Sequence, residues 1–414
     1  MVRVAGPSRA PTHDVARSCV HQRNSSDLLL RPRVIHLDHA SEAGGAELAL
    51  RRLLEAGVPW DALLMAPPQS DAFAGAALER MPVPLAAEHG GGVRGGGTAT
   101  ALREGAHLFR EALHLLTSAW VRSTDVLDAN TTRAALVLAP VALATRKPLV
   151  VHLRDMVDPQ DLGRVNFELL TRTALPRAAA VVANSRATLA SAEPFLGPHC
   201  VRTVVPSPLG EVPAPAPVRD GVRRVGVVGR LAAWKGQDVF LRAFAEVFRG
   251  RPVEAVVVGG PLFGEEAFED RLRDLAHELV IGEQVRFTGH VADVGQVLRS
   301  LDVAVHCSRR PEPLGQTVLQ YLAAGLPTVV ADAGGPAEYV VDGENGLLHP
   351  PGDAAALAQC LRRLADEPAL RRRLADAAPR TRGLASVEQI VNDHHRLYQS
   401  LVGHRGAVTG EDRR

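Results

Sequence analysis

Two cations stand five residues apart behind an apolar run in the second half of the chain. Arg230 and Lys235 belong to segment 229–236, which follows a strand-like run and precedes a helical pattern. Ligands bind at the carboxyl ends of strands in doubly wound sheets. Two cations there suit a diphosphate, whose charge must be neutralised as it leaves. Lys235 is one of only two lysines among 47 basic residues, although an ordinary surface loop explains the segment about equally well.

A glutamate between two prolines marks a second segment of the same kind. Segment 310–320 follows another apolar run and opens a helix. Glu312 could accept hydrogen bonds from sugar hydroxyls, although a charge near a helix start is by itself the commoner explanation. Gln320 lies inside the predicted helix. A phosphate could bind the exposed backbone N–H groups at the helix start, which belong to Leu314, Gly315, Gln316 and Thr317.

Two weaker signals lie in the first half of the chain. Gly44 and Gly45 follow the first predicted strand, where paired glycines let a backbone approach a ligand or simply form a turn. His152 ends another strand and could bind substrate or assist protonation, although a single histidine is more often structural. Asp155 and Asp158 follow it without further hard-oxygen ligands, so no metal site is predicted.

The elements that would position these residues alternate between short apolar runs and helical patterns. Such alternation predicts parallel sheets with helices on both faces. The predicted strands of the first half are 33–37, 62–65, 126–128, 149–152, 179–183 and 201–205. The predicted helices of the first half are 46–55, 99–120, 132–144, 162–175 and 186–195.

Alternating prolines between residues 211 and 219 predict a stiff linker, because proline continues neither a helix nor a central strand. The alternation then restarts, with predicted strands at 224–228, 255–258, 285–288, 303–306 and 328–331 and predicted helices at 237–248, 266–279, 315–324, 354–364 and 387–401. The sequence therefore predicts an α/β chain of two doubly wound, Rossmann-like domains that face each other across a cleft. The expected divisions are a disordered extension (1–31), a first domain (32–212), a linker (213–222), a second domain (223–385), a helix crossing the seam (386–402) and a disordered tail (403–414).

Composition narrows the classes of function. A formal net charge of +1 gives no sign of nucleic-acid binding. No apolar run reaches the roughly 18–20 residues that span a bilayer. The four cysteines are far apart and form no zinc or disulfide pattern, which favours a reducing cytoplasm.

One predicted helix leaves a membrane contact open. In segment 99–120 an apolar stripe runs beside several cationic or titratable residues, and a basic amphipathic helix can lie on an anionic membrane. A core helix with one solvated face is the favoured alternative, because residues 32–212 carry a net charge of −1. A weak association with the inner face of the plasma membrane therefore remains open. The stripe consists of Leu102, Ala106, Phe109, Leu113, Leu116 and Trp120, and the residues beside it are Arg103, His107, Arg110 and His114.

Taken in this order, the motifs resemble those of the retaining family-4 glycosyltransferases of the GT-B fold, the bacterial group 1 glycosyl transferases. The resemblance covers roughly residues 33–400. In the second half it rests on Gly229-Arg230 with Lys235-Gly236 and on segments 311–315, 323–327 and 342–348. The thinner resemblance in the first half rests on Gly44-Gly45, His152 and Asn184-Ser185.

The resemblance implies roles at a donor nucleotide-sugar site. Four positions would act on the reacting centre, namely His152 beside the transferred sugar, Arg230 and Lys235 on the diphosphate, and Glu312 on the hexose. The remaining donor contacts would be Gly44, Gly45 and Gly229 near the phosphates, Val291 beside the base, the segment Leu314, Gly315 and Gln316 at the diphosphate, and Gln320 at the ribose.

One position departs from the family pattern. A second glutamate is expected eight residues after Glu312, where this chain has Gln320. An amide oxygen accepts a hydrogen bond from a ribose hydroxyl but carries no charge. We expect altered ribose binding, and a protein that binds its ligand without turnover stays open.

The implied reaction moves a hexosyl group from a nucleotide-diphosphate sugar, with UDP favoured, to a hydroxyl acceptor of unknown identity. The acceptor could belong to a glycan, a glycolipid or a secondary metabolite. The donor phosphate would act as the base on the same face of the sugar, and no metal or other cofactor is expected. The alternatives are a nucleotide-sugar hydrolase or epimerase on the same fold, and a non-catalytic nucleotide-sugar-binding protein.

Overall fold

The computed structural model describes residues 31–42, 44–76, 80–82, 98–261 and 265–411. Two parallel sheets, one in each half of the chain, are flanked by helices. The predicted architecture of two doubly wound halves is therefore confirmed. Residues 1–30 of the predicted extension lie outside the described ranges.

The first sheet has seven strands in the order β3-β2-β1-β4-β5-β6-β7. Its strands are β1 (Arg33–Leu37), β2 (Asp61–Ala66), β3 (Arg80–Pro82), β4 (Val126–Ala129), β5 (Leu149–Leu153), β6 (Ala180–Ala183) and β7 (Val201–Val204). All six pairings are parallel. The order reverses between β1 and β4, so the loops after these strands diverge and leave a crevice.

The helices of the first half cover both faces of this sheet. They are α1 (Gly45–Glu55), α2 (Thr98–Thr117), α3 (Ala119–Ser123), α4 (Thr132–Thr145), α5 (Pro159–Leu162), α6 (Arg164–Leu169) and α7 (Arg186–Ala192). The central strands β4, β5 and β6 are buried along their whole length, which is why they read as continuous apolar runs.

The second sheet has six strands in the order β10-β9-β8-β11-β12-β13, and all pairings are parallel. Its strands are β8 (Arg224–Val228), β9 (Glu254–Val258), β10 (Val285–Phe287), β11 (Val303–His306), β12 (Thr328–Ala331) and β13 (Leu347–His349). The order reverses between β8 and β11, which places a second crevice beside the loops that carry the predicted cations and Glu312.

The helices of the second half are α8 (Gln237–Phe248), α9 (Glu266–Glu278), α10 (Val294–Ser300), α11 (Gln316–Ala323), α12 (Gly334–Ala337), α13 (Ala354–Asp366), α14 (Pro368–Ala377) and α15 (Val387–Glu411). The last helix returns to the first sheet, where Ile390, Leu397 and Tyr398 pack in one apolar cluster with residues of β1, β4, β5 and β6. The chain therefore crosses the seam between its halves a second time. No helix in the described ranges is both long and apolar enough to cross a bilayer.

Several elements differ from the sequence-based expectation. The predicted helix 162–175 is broken at Gly163, whose φ of 75° separates α5 from α6, and it continues as a π-helical turn, Leu170–Ala174. Helix α15 continues through nine residues that were assigned to the disordered tail. The sequence patterns also missed β3, β13, α10 and α14, because three-residue edge strands and short helices give little periodic signal.

The amphipathic helix faces the other way from the favoured expectation. Within 99–120 the chain turns at Ser118, so α2 and α3 are separate helices. Ala112 and Leu115 face the core, whereas the stripe residues Phe109 and Trp120 are exposed. Of the apolar stripe that was expected to pack inside, Leu116 packs against the core, Ala106, Phe109, Leu113 and Trp120 are exposed, and the side chain of Leu102 lies outside the described residues.

Candidate active site

The predicted ligand-binding loops meet between the two sheets. Gly44 and Gly45 follow β1, and the loop that carries Glu312 follows β11. A Cβ atom added to Gly45 would lie 3.8 Å from Oε1 of Gln316, so the two halves approach each other here. Both loops leave their sheets at a point where strand order reverses, which is where such folds bind ligands.

The carboxylate of Glu312 has polar contacts with three neighbouring side chains. It is buried, and its Oε1 lies 2.7 Å from Nζ of Lys235 and accepts a hydrogen bond from Nε2 of His306 at 2.9 Å. The Ser308 hydroxyl donates to the same oxygen. Burial raises the pKa of the Glu312 carboxyl, but the charges of Lys235 and His306 outweigh it and hold that pKa well below its usual range. The carboxylate is therefore ionised near neutral pH.

All of these contacts use one of the two carboxylate oxygens. Among the described residues no donor is bonded to Oε2 of Glu312. A carboxylate oxygen has lone pairs for two acceptor bonds, so Oε2 can receive the hydroxyl of a sugar. His306 and Ser308 were missed by the sequence analysis. Their signal was available, because residues two apart at the end of a strand point to the same side.

A second pair of glycines holds the Glu312 loop in place. The backbone N–H of Gly335 donates to the carbonyl oxygen of Glu312 at 2.8 Å. A Cβ atom on Gly334 would lie 2.4 Å from that oxygen, and the φ of Gly334 is +67°. Both facts require glycine at this position. The loop after β12 thus fixes the backbone on which Glu312 stands.

The two predicted cations lie around one indole ring. Nζ of Lys235 is 4.4 Å from the centre of the Trp234 ring, and the Arg230 guanidinium is 5.6 Å from it. The Arg310 guanidinium lies 5.2 Å from the same ring. Cations over an aromatic face are held by its quadrupole. The structure therefore brings Arg230 and Lys235 together, as expected, and adds Trp234 and Arg310 to them.

The start of α11 has the geometry of an anion-binding helix terminus. Gly315 has a φ of +69°, and a Cβ atom there would lie 2.4 Å from Cγ of Pro336. The helix begins at Gln316, and the N–H groups of a first helical turn have no acceptor within the helix. Leu314 is buried and anchors this turn in an apolar cluster. Gln320 lies one turn after Gln316, half-exposed, and its side chain makes no hydrogen bond with the described residues.

Three backbone turns that follow the neighbouring strands β8, β9 and β10 contact one another. A Cβ atom on Gly259 would lie 2.1 Å from the carbonyl oxygen of Gly229, and Gly259 N donates to Gly289 O at 2.9 Å. Val291 follows and packs, partly buried, on the cluster that contains Val258. Val291, the residue predicted beside the base, therefore lies at the carboxyl end of this sheet, after β10.

His152 has a different environment from the one expected. It is 2% exposed, so its ring does not line an open cleft. Its Nε2 donates to Oδ2 of Asp128 at 3.0 Å, and its Nδ1 accepts from Arg154 at 3.1 Å. Both ring nitrogens are thus occupied, and burial lowers the pKa of His152. In this structure His152 positions its neighbours, and its predicted contact with the sugar stays a prediction.

The partners of His152 form a buried polar cluster. Asp128 also accepts from the Tyr398 hydroxyl at 2.7 Å and lies 3.3 Å from Nδ1 of His36. Burial raises the pKa of Asp128, but the two histidines outweigh it and hold that pKa well below its usual range. Arg154 extends the network by donating to Asn130 Oδ1 at 3.1 Å, and Asn130 donates to Asp38. The cluster therefore joins the ends of β1, β4 and β5 to α15.

Two buried carboxyl groups lie behind the Gly44–Gly45 turn. The backbone N–H of Gly44 donates to Oε2 of Glu47 at 3.0 Å, and a Cβ atom on Gly44 would clash with that oxygen. Burial and the nearby charge of Asp38 raise the pKa of Glu47 to about 8. The turn that was predicted to approach the donor is therefore held by a side chain of its own helix, α1.

Side chains of both halves bond across the seam next to Glu312. The Glu338 carboxylate accepts from the backbone N–H groups of Arg186 and Ala187, at the start of α7. The Thr188 hydroxyl donates to the carbonyl oxygen of Pro313 at 3.1 Å. These contacts place the first domain directly against the loop that carries Glu312.

A family model matches the second half of this chain. Residues 212–381 match the family described as glycosyl transferases group 1. A D-inositol 3-phosphate glycosyltransferase of Kineococcus radiotolerans is 32% identical over 280 residues, or 60% of this chain and 63% of that relative. A lipopolysaccharide core biosynthesis glycosyltransferase of Rhizobium meliloti is 33% identical over 191 residues, or 46% of this chain and 52% of that relative. The chain thus spans between half and two thirds of the length of these relatives.

Solved structures match nearly the whole chain in fold. The Anabaena protein HepE, in complex with UDP and glucose, has a TM-score of 0.74 at 24% identity and covers 89% of this chain and 100% of its own. Sucrose-phosphate synthase from Thermosynechococcus elongatus has a TM-score of 0.71 at 20% identity, with coverages of 90% and 100%. The chain therefore has the GT-B fold, and its residues 212–381 are similar to the glycosyl transferases group 1 family.

Proposed function

We propose that this chain is a retaining glycosyltransferase that moves a hexosyl group from a UDP-linked sugar to a hydroxyl acceptor. The observation that carries the proposal is the pairing of Lys235 with Glu312 beside the start of α11. Cations and free backbone N–H groups lie on one side of this pair, and a carboxylate oxygen that can accept a hydroxyl lies on the other. A sugar diphosphate has this same division of charge and hydroxyl groups.

Donor binding would redistribute these contacts. The diphosphate would lie against Arg230, Lys235 and the first turn of α11, where its growing charge is stabilised as the sugar leaves. Lys235 would then share its proton donors between Glu312 and phosphate oxygen. Glu312 would keep its donors His306 and Ser308 and present Oε2 to a hexose hydroxyl. The chemical step is favoured because the cations are already in place before the charge develops.

The retaining course and the UDP donor are inferences from family resemblance and from the similar structures. HepE holds UDP in its structure, which supports UDP for a chain of the same fold. In the proposed same-face mechanism, the acceptor hydroxyl loses its proton to the departing phosphate, and the new bond forms on the face that the phosphate leaves. No metal is required in this scheme, since Arg230 and Lys235 supply the positive charge.

We place this activity in the cytoplasm. Cys200, Cys307 and Cys360 are free thiols, and all three are buried. Free thiols are the usual state in a reducing compartment. The proposal also needs no membrane-spanning segment, because donor and acceptor would meet in the seam between the domains.

Thermal unfolding with UDP, GDP, dTDP and ADP in the presence of a chelator tests the donor site. A ligand at about 100 times its dissociation constant stabilises by about 2.7 kcal/mol, which is readily measured. We expect UDP to raise the midpoint, and Lys235→Ala to remove the shift. Arg242→Glu, an exposed change on α8, serves as the matched control and should keep it.

Turnover separates the proposal from its alternatives. Release of UDP that depends on an added acceptor, with the anomeric configuration of the donor preserved in the product, supports a retaining transferase. Free sugar released without an acceptor would identify a hydrolase. A nucleotide shift with no turnover on any tested acceptor would leave a binding protein, and no shift with any nucleotide would refute the donor site.

A further inference from the structure

The outer face of α2 and α3 carries large apolar side chains in solvent. Phe109 is 70% exposed, Leu113 is 52% exposed and Trp120 is 45% exposed. Side chains three, four or seven residues apart share one side of a helix, and Phe109 and Leu113 have this spacing. The opposite side of α2 packs on the core through Ala112 and Leu115. These exposed side chains therefore serve no packing role within the described fold.

The segment that carries this apolar face has several exposed cations, and no acid among residues 105–147 is exposed. Residues 105–147 contain three carboxylates, of which two are buried and the third, Asp125, is partly buried. Glu111 is buried beside Arg133 at 3.4 Å, Asp128 is fully buried, and Asp125 accepts from the backbone N–H of Arg33 at 2.8 Å.

The cations of the same segment are at the surface. Arg110, Arg122 and Arg146 are exposed. Lys147 lies beside Arg122, because its Nζ donates to the carbonyl oxygens of Arg122 and Thr124. Segment 105–147 thus exposes cations and no acids, although residues 32–212 carry a net charge of −1.

We propose that this face, defined by Phe109, Leu113 and Trp120 with Arg110 and Arg122 beside them, docks on the surface of an anionic lipid bilayer. Phenylalanine, leucine and tryptophan enter the boundary between headgroups and acyl chains, and arginines bind anionic headgroups. The helix would lie in the plane of the membrane without crossing it.

The cations of this face disfavour a second copy of the chain as its binding partner. In a twofold dimer each cation of this face would meet the cations of its copy, which is unfavourable. A lipid bilayer offers diffuse negative charge and an apolar layer together, and both match this face. An acidic protein would satisfy the charge but would need its own apolar pocket for Phe109 and Trp120.

Docking would turn the first domain toward the bilayer. It would thereby favour an acceptor hydroxyl that is carried by a membrane lipid over one on a soluble metabolite. This last step alone rests on the proposed function. The docking itself concerns the surface of α2 and α3 and does not depend on turnover.

Vesicle sedimentation tests the proposal on the full chain. We expect the protein to sediment with vesicles of phosphatidylcholine and phosphatidylglycerol, and to stay in solution with phosphatidylcholine alone. Each cation near an anionic surface contributes about 1 kcal/mol, so the double variant Arg110→Glu/Arg122→Glu should weaken binding about thirtyfold or more. Phe109→Ser should also weaken it. Arg242→Glu and Val341→Ser, exposed changes in the second domain, are the matched controls and should bind as the wild type does.

Tryptophan fluorescence reports the depth of contact. Trp60 is buried in the core and Trp234 lies partly buried in the candidate active site, whereas Trp120 lies in the proposed face. Brominated acyl chains should quench the emission of the wild type, and Trp120→Phe should remove most of that quenching while sedimentation persists. Quenching that is unchanged in Trp120→Phe would contradict the proposed orientation.

Other outcomes overturn the proposal. Absence of sedimentation with anionic vesicles would do so, as would equal binding by the wild type and the face variants. A wild-type dimer in light scattering that Phe109→Ser dissociates would show that the face joins two copies. UDP-induced stabilisation is measured on every variant, so that the two proposals are tested separately. A UDP shift without vesicle binding refutes the docking alone. Vesicle binding without any UDP shift refutes the donor site alone.

Discussion

Nζ of Lys235 lies 2.7 Å from Oε1 of Glu312, so the cation expected to hold the leaving phosphate is paired with the acid expected to hold the sugar. The two residues come from loops after β8 and β11, the neighbouring strands at which the order of the second sheet reverses. Each side chain neutralises the other. This pairing keeps the Glu312 carboxylate charged and in place in a largely buried site.

The pairing predicts a coupled effect on stability. Lys235→Ala should lower the free energy of unfolding by about 3 kcal/mol, because it leaves the Glu312 carboxylate buried without its strongest cation. Adding Glu312→Gln to that variant should recover part of the loss. Urea unfolding of both single variants and the double variant gives the coupling energy directly. Strictly additive effects would show that the contact contributes nothing to stability.

Replacing Gln320, the glutamine in α11, by glutamate should strengthen the binding of UDP. Gln320→Glu should lower the dissociation constant for UDP about threefold to tenfold, since hydrogen bonds to a charged acceptor are roughly twice as strong as neutral ones. Isothermal titration measures the change. Pyrophosphate has no ribose and serves as the control ligand, so its affinity should not improve. Weaker binding of both ligands would instead mean that the new charge repels the diphosphate.

The hydroxyl of Tyr398 should stabilise the seam helix. Tyr398→Phe removes the hydrogen bond to Asp128 and should cost about 1.5–3 kcal/mol of unfolding free energy, because the acceptor is a buried charge. Tyr339→Phe is the control, since the Tyr339 hydroxyl has no partner among the described residues. Equal stability of the two variants, measured by urea unfolding, would contradict a role for the cluster in holding α15.

The raised pKa of Glu47 predicts that the free energy of unfolding depends on pH. Its carboxyl titrates near 4.5 when unfolded and has a pKa of about 8 in the folded chain. Between these values the folded state keeps a proton that the unfolded state has released. The free energy of unfolding should therefore fall as pH rises from about 5 to about 8, by at most about 1.4 kcal/mol per pH unit.

Urea unfolding of the wild type and Glu47→Gln across this pH range checks the direction. The variant should lose most of the slope, because a glutamine cannot release a proton. Glu55→Gln, an exposed change at the end of the same helix, should keep the slope of the wild type. A wild-type stability that rises with pH would show that Glu47 is ionised in the folded chain.

The sequence was sufficient for every described strand except the edge strands β3 and β13, and for the loops that carry the predicted site residues. β1, β8, β11 and β12 begin and end where the apolar runs do, because strands buried on both faces must be apolar along their length. Arg230, Lys235 and Glu312 were found for the same reason, since the residues that follow such strands lie at the ligand-binding edge. The linker was marked by its prolines.

The local pattern of the sequence did not predict the surroundings of individual side chains. His152 ends a strand, as predicted, yet the structure buries it between Asp128, Arg154 and α15. Tyr398 bonds to Asp128 across 270 positions of sequence, and no local periodicity encodes such a contact. The side of α2 that packs inward was also decided by the fold, because Phe109 and Leu115 are equally apolar in sequence.

The residues that complete the site came from other strands. His306, Ser308 and Gly334 bond to or pack on the Glu312 loop, and their roles depend on β11 and β12 being neighbours in the sheet. The sequence alone therefore determined which elements form and which loops carry charge. The tertiary structure decided which charges are buried, paired or left in solvent, because desolvation and hydrogen bonding depend on neighbours that are distant along the chain.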